Sequence, residues 1–260
     1  VYVTHLHSDH VCDLFNLFLL GWPILQWNPP VDVYGPGPAG ALPPDEPGHA
    51  TPVVAPANPT PGLVDVIRAN VEAHAYDLNI RMREAGRHDL TGLVVPHEIA
   101  AASEPVLVTE DGDARVTAIL VEHGPVIPAF AFRFDTAAGS VVFSGDTAPC
   151  GNLITLARGA DILVHEVYDD TVPGDGDGDD DGGGGGDGSW EAERRQHHLT
   201  TAHTPLSAVG KIAADAGVRR LVLTHFIPGD DELPNEHWRD GVKDFDGEVI
   251  PGHDLMDLTL

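Results

Sequence analysis

The residues with the clearest chemical potential stand at the start of the chain, where His5-Leu6-His7-Ser8-Asp9-His10 gathers three histidines and an aspartate within six positions. Neutral imidazoles and a carboxylate are ligands that zinc prefers. The run ahead of them, Val1-Tyr2-Val3-Thr4, is β-branched and aromatic and reads as a buried strand. Side chains repeat every two residues in an extended chain, so His5 and His7 project to the same side. Asp9 and His10 follow as the chain turns towards a helix, and they can aim at a second point nearby. One loop with two aims suits two adjacent metal ions. The alternative, a polar loop that is merely rich in histidine, does not account for four metal-competent residues at fixed offsets behind a strand.

Three more metal-competent residues stand where apolar strands end. His123 follows residues 116–121 and precedes Gly124-Pro125. Asp146 lies in Ser144-Gly145-Asp146-Thr147, directly after Val141-Val142-Phe143. His225 lies in Leu223-Thr224-His225-Phe226, directly after residues 221–223. Each is a single ligand delivered by a strand into a loop, where a rigid sheet can position it. A lone histidine after a strand is more often a surface or core residue. The strong motif in the first loop is what makes these three candidates.

The elements that must hold these residues follow from periodicity and breakers. Residues 11–20 are apolar on most faces and predict a short buried helix, stopped by Gly21 and Pro23. Val31-Asp32-Val33-Tyr34 alternates like a strand, and the Pro/Gly/Ala-rich stretch from Gly35 to Pro61 reads as an irregular surface excursion. Apolar residues at helical spacing between Gly62 and Gly86 predict one long helix or two in sequence. Strand composition recurs at residues 106–108, 115–122, 129–134 and 140–143, with a hairpin turn at Asp111-Gly112-Asp113. The order then becomes a helix at 152–158, a strand at 162–164, a helix at 205–216 and a strand at 221–223. Two short strands, around 248–250 and 255–260, close the chain. Strands first and strand–helix alternation afterwards predict an α/β protein of layered sheets with helices outside. Residues 175–189 (DGDGDDDGGGGGDGS) cannot bury apolar surface and read as a flexible insertion. A calcium-binding repeat fits less well, because no apolar residue recurs to build a β-roll.

Bulk properties narrow the classes. A chain of 260 residues with 42% apolar content can build one large domain or two small ones, and no clear linker divides it. Its 41 acidic and 14 basic residues give a formal charge of −27, which repels nucleic-acid phosphates unless a local basic patch or a bound metal offsets it. Such a surface also fits a salt-rich cytoplasm. Two cysteines, Cys12 and Cys150, make no disulfide framework, so a reducing, cytoplasmic setting is expected. No apolar run reaches the length of a membrane span and no signal peptide is visible. The chain opens in mid-strand, which predicts a natural N-terminus further upstream.

With these residues assembled, the chain resembles the metallo-β-lactamase superfamily, whose signature is His-x-His-x-Asp-His. Within it, the chain is most similar to the branch that holds ribonuclease Z and the zinc-dependent arylsulfatases. Supporting segments are His123-Gly124-Pro125 with Ala129-Phe130-Ala131-Phe132-Arg133, then Gly145-Asp146-Thr147-Ala148-Pro149-Cys150. Ala160-Asp161-Ile162-Leu163-Val164-His165-Glu166, Ala202-His203-Thr204 and Leu223-Thr224-His225 continue the pattern. The resemblance implies a four-layer αβ/βα sandwich forming one metallo-hydrolase domain over residues 1–260, truncated at its start. It implies two zinc ions, with manganese or iron as alternatives. His5, His7 and His123 would hold one ion, Asp9, His10 and His225 the other, and Asp146 would bridge them. A water held between two cations loses a proton near neutral pH and can attack an ester. Asp9 would orient that nucleophile as well as ligate, and His203 would donate to the leaving oxygen. His165-Glu166 would be a supporting pair that orients ligands. The remaining histidines (His49, His74, His88, His97, His197, His198, His237 and His253) receive no role.

The expected activity is hydrolysis of a phosphate or sulfate ester of a small substrate, with a homodimer left open. The first alternative is a ribonuclease Z-like endonuclease that matures the 3′ end of transfer RNA. Lactone or lactam hydrolysis and a metal-binding module without turnover are further alternatives. Two departures weigh against transfer RNA. The Gly-Leu-Pro-Gly type turn of ribonuclease Z is replaced by Cys12-Asp13-Leu14-Phe15-Asn16, and no basic, glycine-rich arm stands out. The family also opens with strands ahead of the metal loop, and a chain without them is expected to expose a sheet edge.

Overall fold

The computed structural model describes residues 1–44, 50–171, 188–229 and 232–260. They form two compact units, Val1–Ala101 with Val126–Pro128, and Ala102–Pro125 with Ala129–Leu260.

The first unit is organised around a small parallel sheet. Helices α1 (Ser8–Val11) and α2 (Leu14–Leu25) precede strand β1 (Val31–Pro36). Helices α3 (Leu63–Ala73) and α4 (Ala75–Ala85), then a single 3-10 turn (Leu90–Gly92), lead to strand β2 (Val94–Ile99). β1 and β2 pair in parallel, from Val31 opposite Val94 to Pro36 opposite Ile99. The strand expected over Val1 to Thr4 is reduced to one bridge, Tyr2 to Tyr34, flanked by Val3 N to Tyr34 O at 2.8 Å and Tyr34 N to Val1 O at 2.9 Å. Val3, Val33 and Val94 face one way and join Phe18, Trp22, Leu63 and Ile67 in a buried cluster. Each fully buried aliphatic side chain of this kind contributes roughly 1.5–3 kcal/mol.

Two expectations for this unit change and an open one is decided. α2 runs through Gly21 and Pro23 to Leu25, with Phe15, Phe18 and Trp22 anchoring its buried face. The helix is also amphipathic rather than buried all round, with Leu20 82% exposed. The stretch from Gly62 resolves into two helices that break at His74 (φ −100°, ψ 8°). β2 was not expected, since Pro96 interrupts its β-branched pattern. Proline is tolerated here because β2 has only one neighbour in this two-stranded sheet.

The second unit holds seven strands in sequential order: β3 (Val106–Glu110), β4 (Ala114–Leu120), β5 (Phe130–Thr136), β6 (Ser140–Phe143), β7 (Ile162–Tyr168), β8 (Arg220–Ile227) and β9 (Glu248–Pro251). Pairing is antiparallel from β3 to β6 and parallel from β6 to β9. The turn at Asp111 closes the expected hairpin, its carboxylate accepting from the backbone N–H groups of Asp113 and Ala114. Helices α5 (Gly151–Ala157), α6 (Gly188–Ala202), α7 (Leu206–Ala216) and α8 (Asn235–Gly241) complete the unit. Ile119, Val142, Leu163, Leu221 and Leu223 share a core with Leu153, Val209, Ile212 and Trp238. One face of the sheet is therefore helix-covered, and alternation sends the intervening residues of each strand to the other face.

Here too the structure departs from expectation. β7 and β8 extend well beyond the predicted cores, so His165, Glu166 and His225 lie within strands rather than after them. The predicted strand at 255–260 has no ladder partner; it forms a turn and an extended tail. α6 and α8 were not expected. Of the insertion at 175–189, residues 175–187 lie outside the described residues, and 188–189 open α6.

Candidate metal centre

In the second unit the ligand-type residues sit where strands end or bend. His123 follows β4 and is 1% exposed. Its Nδ1 donates to the Ala202 carbonyl at 2.8 Å, which fixes the tautomer and leaves Nε2 with a lone pair for a metal. The next residue, Gly124, adopts φ +52°, and a Cβ there would come within 3.4 Å of the Ala202 side chain. The turn thus presses the His123 loop onto the end of α6, helped by Gly124 N to Thr201 O at 3.1 Å.

Asp146 follows β6. Gly145 supplies a left-handed turn (φ +60°) that no L side chain adopts easily, and Ser144 N bonds Val164 O at 2.9 Å. The Asp146 side chain is therefore delivered at a defined angle and is 5% exposed. His225 reaches the same place by a different device. The β7–β8 ladder skips a residue between the Glu166–Thr224 and Val167–Phe226 pairs, and His225 is the extra one, at φ +46°. A bulge re-aims a side chain that would otherwise follow the alternation of the strand. His225 Nε2 stands 3.4 Å from Asp146 Oδ2.

His203 lies just past α6 and is 4% exposed, which excludes a surface cap. Its Nδ1 donates to both oxygens of Glu166, at 3.1 and 3.0 Å, and its ring stacks on His225 with centroids 5.7 Å apart. Glu166 also accepts from Thr147 N at 2.7 Å. Its carboxyl is raised well above the ordinary glutamate range, first by burial and second by the negative charge of Asp146, while the Thr147 N–H works against the shift. Ligand atoms of His123, Asp146 and His203 all lie within 4.8 Å of one another, as do those of Glu166, His203 and His225. Two acidic groups that oppose each other's ionisation, ringed by imidazoles, are the donor set that a cation would relieve.

His165, expected to act with Glu166, points the other way. It is the adjacent residue in β7, so it projects to the helix-covered face, where it is fully buried. Its Nδ1 donates to Glu166 O at 2.7 Å, and burial depresses its pKa to about 4. It is a neutral core residue.

The first unit supplies the opening loop. His7 remains extended (φ −62°, ψ 145°) and Ser8, Asp9 and His10 form the single turn of α1. His5 is wholly buried, and its Nε2 lies 3.2 Å from His7 Nδ1. Two nitrogens bound to one tetrahedral zinc at about 2.0–2.1 Å would stand about 3.3 Å apart, so the pair needs little adjustment. The His5 and His10 rings are 4.3 Å apart, and His10 Nε2 meets Asp9 Oδ2 at 3.1 Å. The Asp9 side chain, 54% exposed, stands open to solvent, in contrast to the buried Asp146.

Of the residues without an expected role, His198 is the exception. It is exposed on α6, and its ring meets His203 edge to face at 5.2 Å and His123 at 6.3 Å. Of the cysteines, Cys150 is buried with Sγ 3.6 Å from Thr147 Oγ1, whereas Cys12 is exposed. A cavity of about 770 Å³ on the same face of the sheet touches this cluster only at His225. Its other walls mix apolar residues such as Phe143, Val164 and Val222 with Thr224, His253, Asp254 and Asp257, and it lies beside the polar cluster.

Comparison with known proteins agrees with this picture. A family model described as "Beta-lactamase superfamily domain" matches residues 62–226. The chain is 30% identical over 254 residues to a protein of Mycobacterium avium named "Ribonuclease Z", covering 97% of this chain and 76% of the relative. It is 28% identical over 254 residues to a "Putative ribonuclease Z" of Mycobacterium tuberculosis, covering 97% and 95% respectively. The crystal structure of human tRNase Z, short form, superposes with a TM-score of 0.56 at 21% identity, over 98% of this chain and 76% of that one. That likeness shows the metallo-β-lactamase fold.

Proposed function

This chain belongs to the metallo-β-lactamase superfamily, and on that footing we propose that it is a two-metal phosphodiesterase acting on the 3′ region of an RNA chain. The observation that carries the proposal is the cluster of His123, Asp146, His203 and His225 backed by Glu166. The ligands we propose are His5, His7, Asp9, His10, His123, Asp146 and His225. Divalent cations bound there, zinc being the best match to the donors, would activate a water and stabilise the extra negative charge of a phosphoryl transition state.

The chain's own residues have distinct tasks. His123 has its Nδ1 committed to Ala202, so only Nε2 is presented. Asp146, sited between imidazoles, offers two oxygens and can serve two ions. His203 holds Nδ1 on Glu166, which orients the ring. Its Nε2 is then the atom able to hand a proton to a departing ribose oxygen.

Phosphodiester cleavage in RNA moves ahead of hydrolysis of a small sulfate or phosphate ester because the relatives are named ribonuclease Z or putative ribonuclease Z. The charge of −27, the Cys12-Asp13-Leu14-Phe15-Asn16 segment after the metal loop and the lack of a basic, glycine-rich arm favour a small substrate. The experiment is a comparison of a precursor transfer RNA, bis-p-nitrophenyl phosphate and p-nitrophenyl sulfate on metal-replete protein. We expect cleavage of both phosphodiesters, with the higher kcat/KM on the RNA, and none of the sulfate ester. Preferential hydrolysis of the sulfate would overturn the reading.

A further inference from the structure

Four of the five positions Arg194-Arg195-Gln196-His197-His198 are basic, in a chain that has only 14 lysines and arginines. All five lie on α6, the helix whose end is tied to the His123 loop through Ala202 and Thr201. Residues four apart share a helical face, so Arg194, His198 and Ala202 form one line. The line starts at the buried Ala202, whose carbonyl holds His123, and runs outward through His198 to Arg194, both exposed. His198 touches the polar cluster through its ring contacts with His203 and His123. Arg194 stands one turn further out, roughly 6 Å along the helix axis.

An anion approaching a surface of this net charge is repelled nearly everywhere, and a local cationic strip is what can draw it in. A guanidinium and an imidazole one turn apart offer a planar donor fork and a single N–H, the donors that suit phosphate oxygens. We propose that Arg194 and His198 form an anion-binding subsite that takes a second phosphate of the substrate, on the leaving-group side of the ester that is cut. The side follows from contact: His198 abuts His203, the group assigned to the leaving oxygen. The proposal rests on the phosphodiesterase reading for its substrate, and it turns the basic part of α6 into the feature that selects a chain of phosphates over a lone ester.

The test compares uridylyl-uridine with its 5′-phosphorylated form, because hydrolysis that leaves a 3′-hydroxyl and a 5′-phosphate breaks the P–O3′ bond, so the extra phosphate sits on the departing 5′ nucleoside. Metal-replete wild-type protein should prefer the phosphorylated form about tenfold in kcat/KM, mostly through KM, the size expected of one charge-assisted hydrogen bond. Arg194→Ala and His198→Ala should each bring that preference close to one, and Arg194→Lys should keep part of it. No preference in the wild type, or an undiminished preference in the alanine variants, overturns the proposal. A second readout does not depend on turnover. Inorganic phosphate titrated into histidine-labelled, metal-replete protein should shift the His198 ring resonances saturably in the wild type and not in Arg194→Ala. If neither dinucleotide is cleaved, the phosphodiesterase reading fails by itself. The titration then decides the subsite, and an unshifted His198 rules it out.

Discussion

His203 is buried, faces Glu166 with one nitrogen and stacks on His225. A proton donor matters most when the leaving group is basic. His203→Ala should therefore lower kcat on an RNA phosphodiester by about 10²–10⁴, and much less on bis-p-nitrophenyl phosphate, whose leaving anion needs little protonation. Glu166→Gln should fall in between with the same substrate order, because it acts through the His203 ring. Equal losses on both substrates would mean that His203 only holds the site together. At this scale the sequence is informative: the opening motif and the lone residues behind strands point to His123, Asp146 and His225, and the family resemblance adds His203. It is silent on His198. The described part of α6 is almost wholly polar and exposed, so no apolar stripe betrays a helix, and without the helix His198 cannot be placed beside His203.

β7 shows how one element serves two environments. Its residues alternate between the helix-covered core, where Leu163, His165 and Val167 lie, and the polar cluster, reached by Glu166. His165 has its pKa depressed to about 4 by burial against an ordinary 6.5, so the unfolded chain binds the extra proton between these values. Stability from this group is complete above pH 6.5 and falls as pH drops towards about 4, by roughly 3 kcal/mol at most. Urea unfolding across that range should show the decline, and His165→Leu should flatten it; an unaltered profile in the variant would place the titration elsewhere. Elements built on periodicity were legible, including the hairpin at Asp111, the paired helices from Leu63 and the β–α alternation of the second unit. Those missed had local signals that pointed elsewhere. Pro96 masked β2, and α8 spans only Asn235–Gly241 around a single buried Trp238. The bulge at His225 could not be read at all, since it arises from the register of β7 against β8.

At the scale of the molecule, each unit covers one face of its sheet with helices, and the ligand-type residues of each gather in a small area. An acidic composition weighs against a polyanionic substrate only where charge is spread evenly. α6 breaks that evenness, because a basic stretch stands against the polar cluster while acidic residues dominate elsewhere. Family membership fixes the fold and the class of site; the chemistry proposed rests on two bound cations. The most direct test is to strip the protein of metal and restore zinc stepwise while following hydrolysis of bis-p-nitrophenyl phosphate. We predict no activity without metal, a rise that reaches its plateau at two equivalents per chain, and no recovery at any ratio in Asp146→Ala. Full activity in the stripped protein, or an Asp146→Ala variant that binds two ions and turns over like the parent, would contradict the two-metal account.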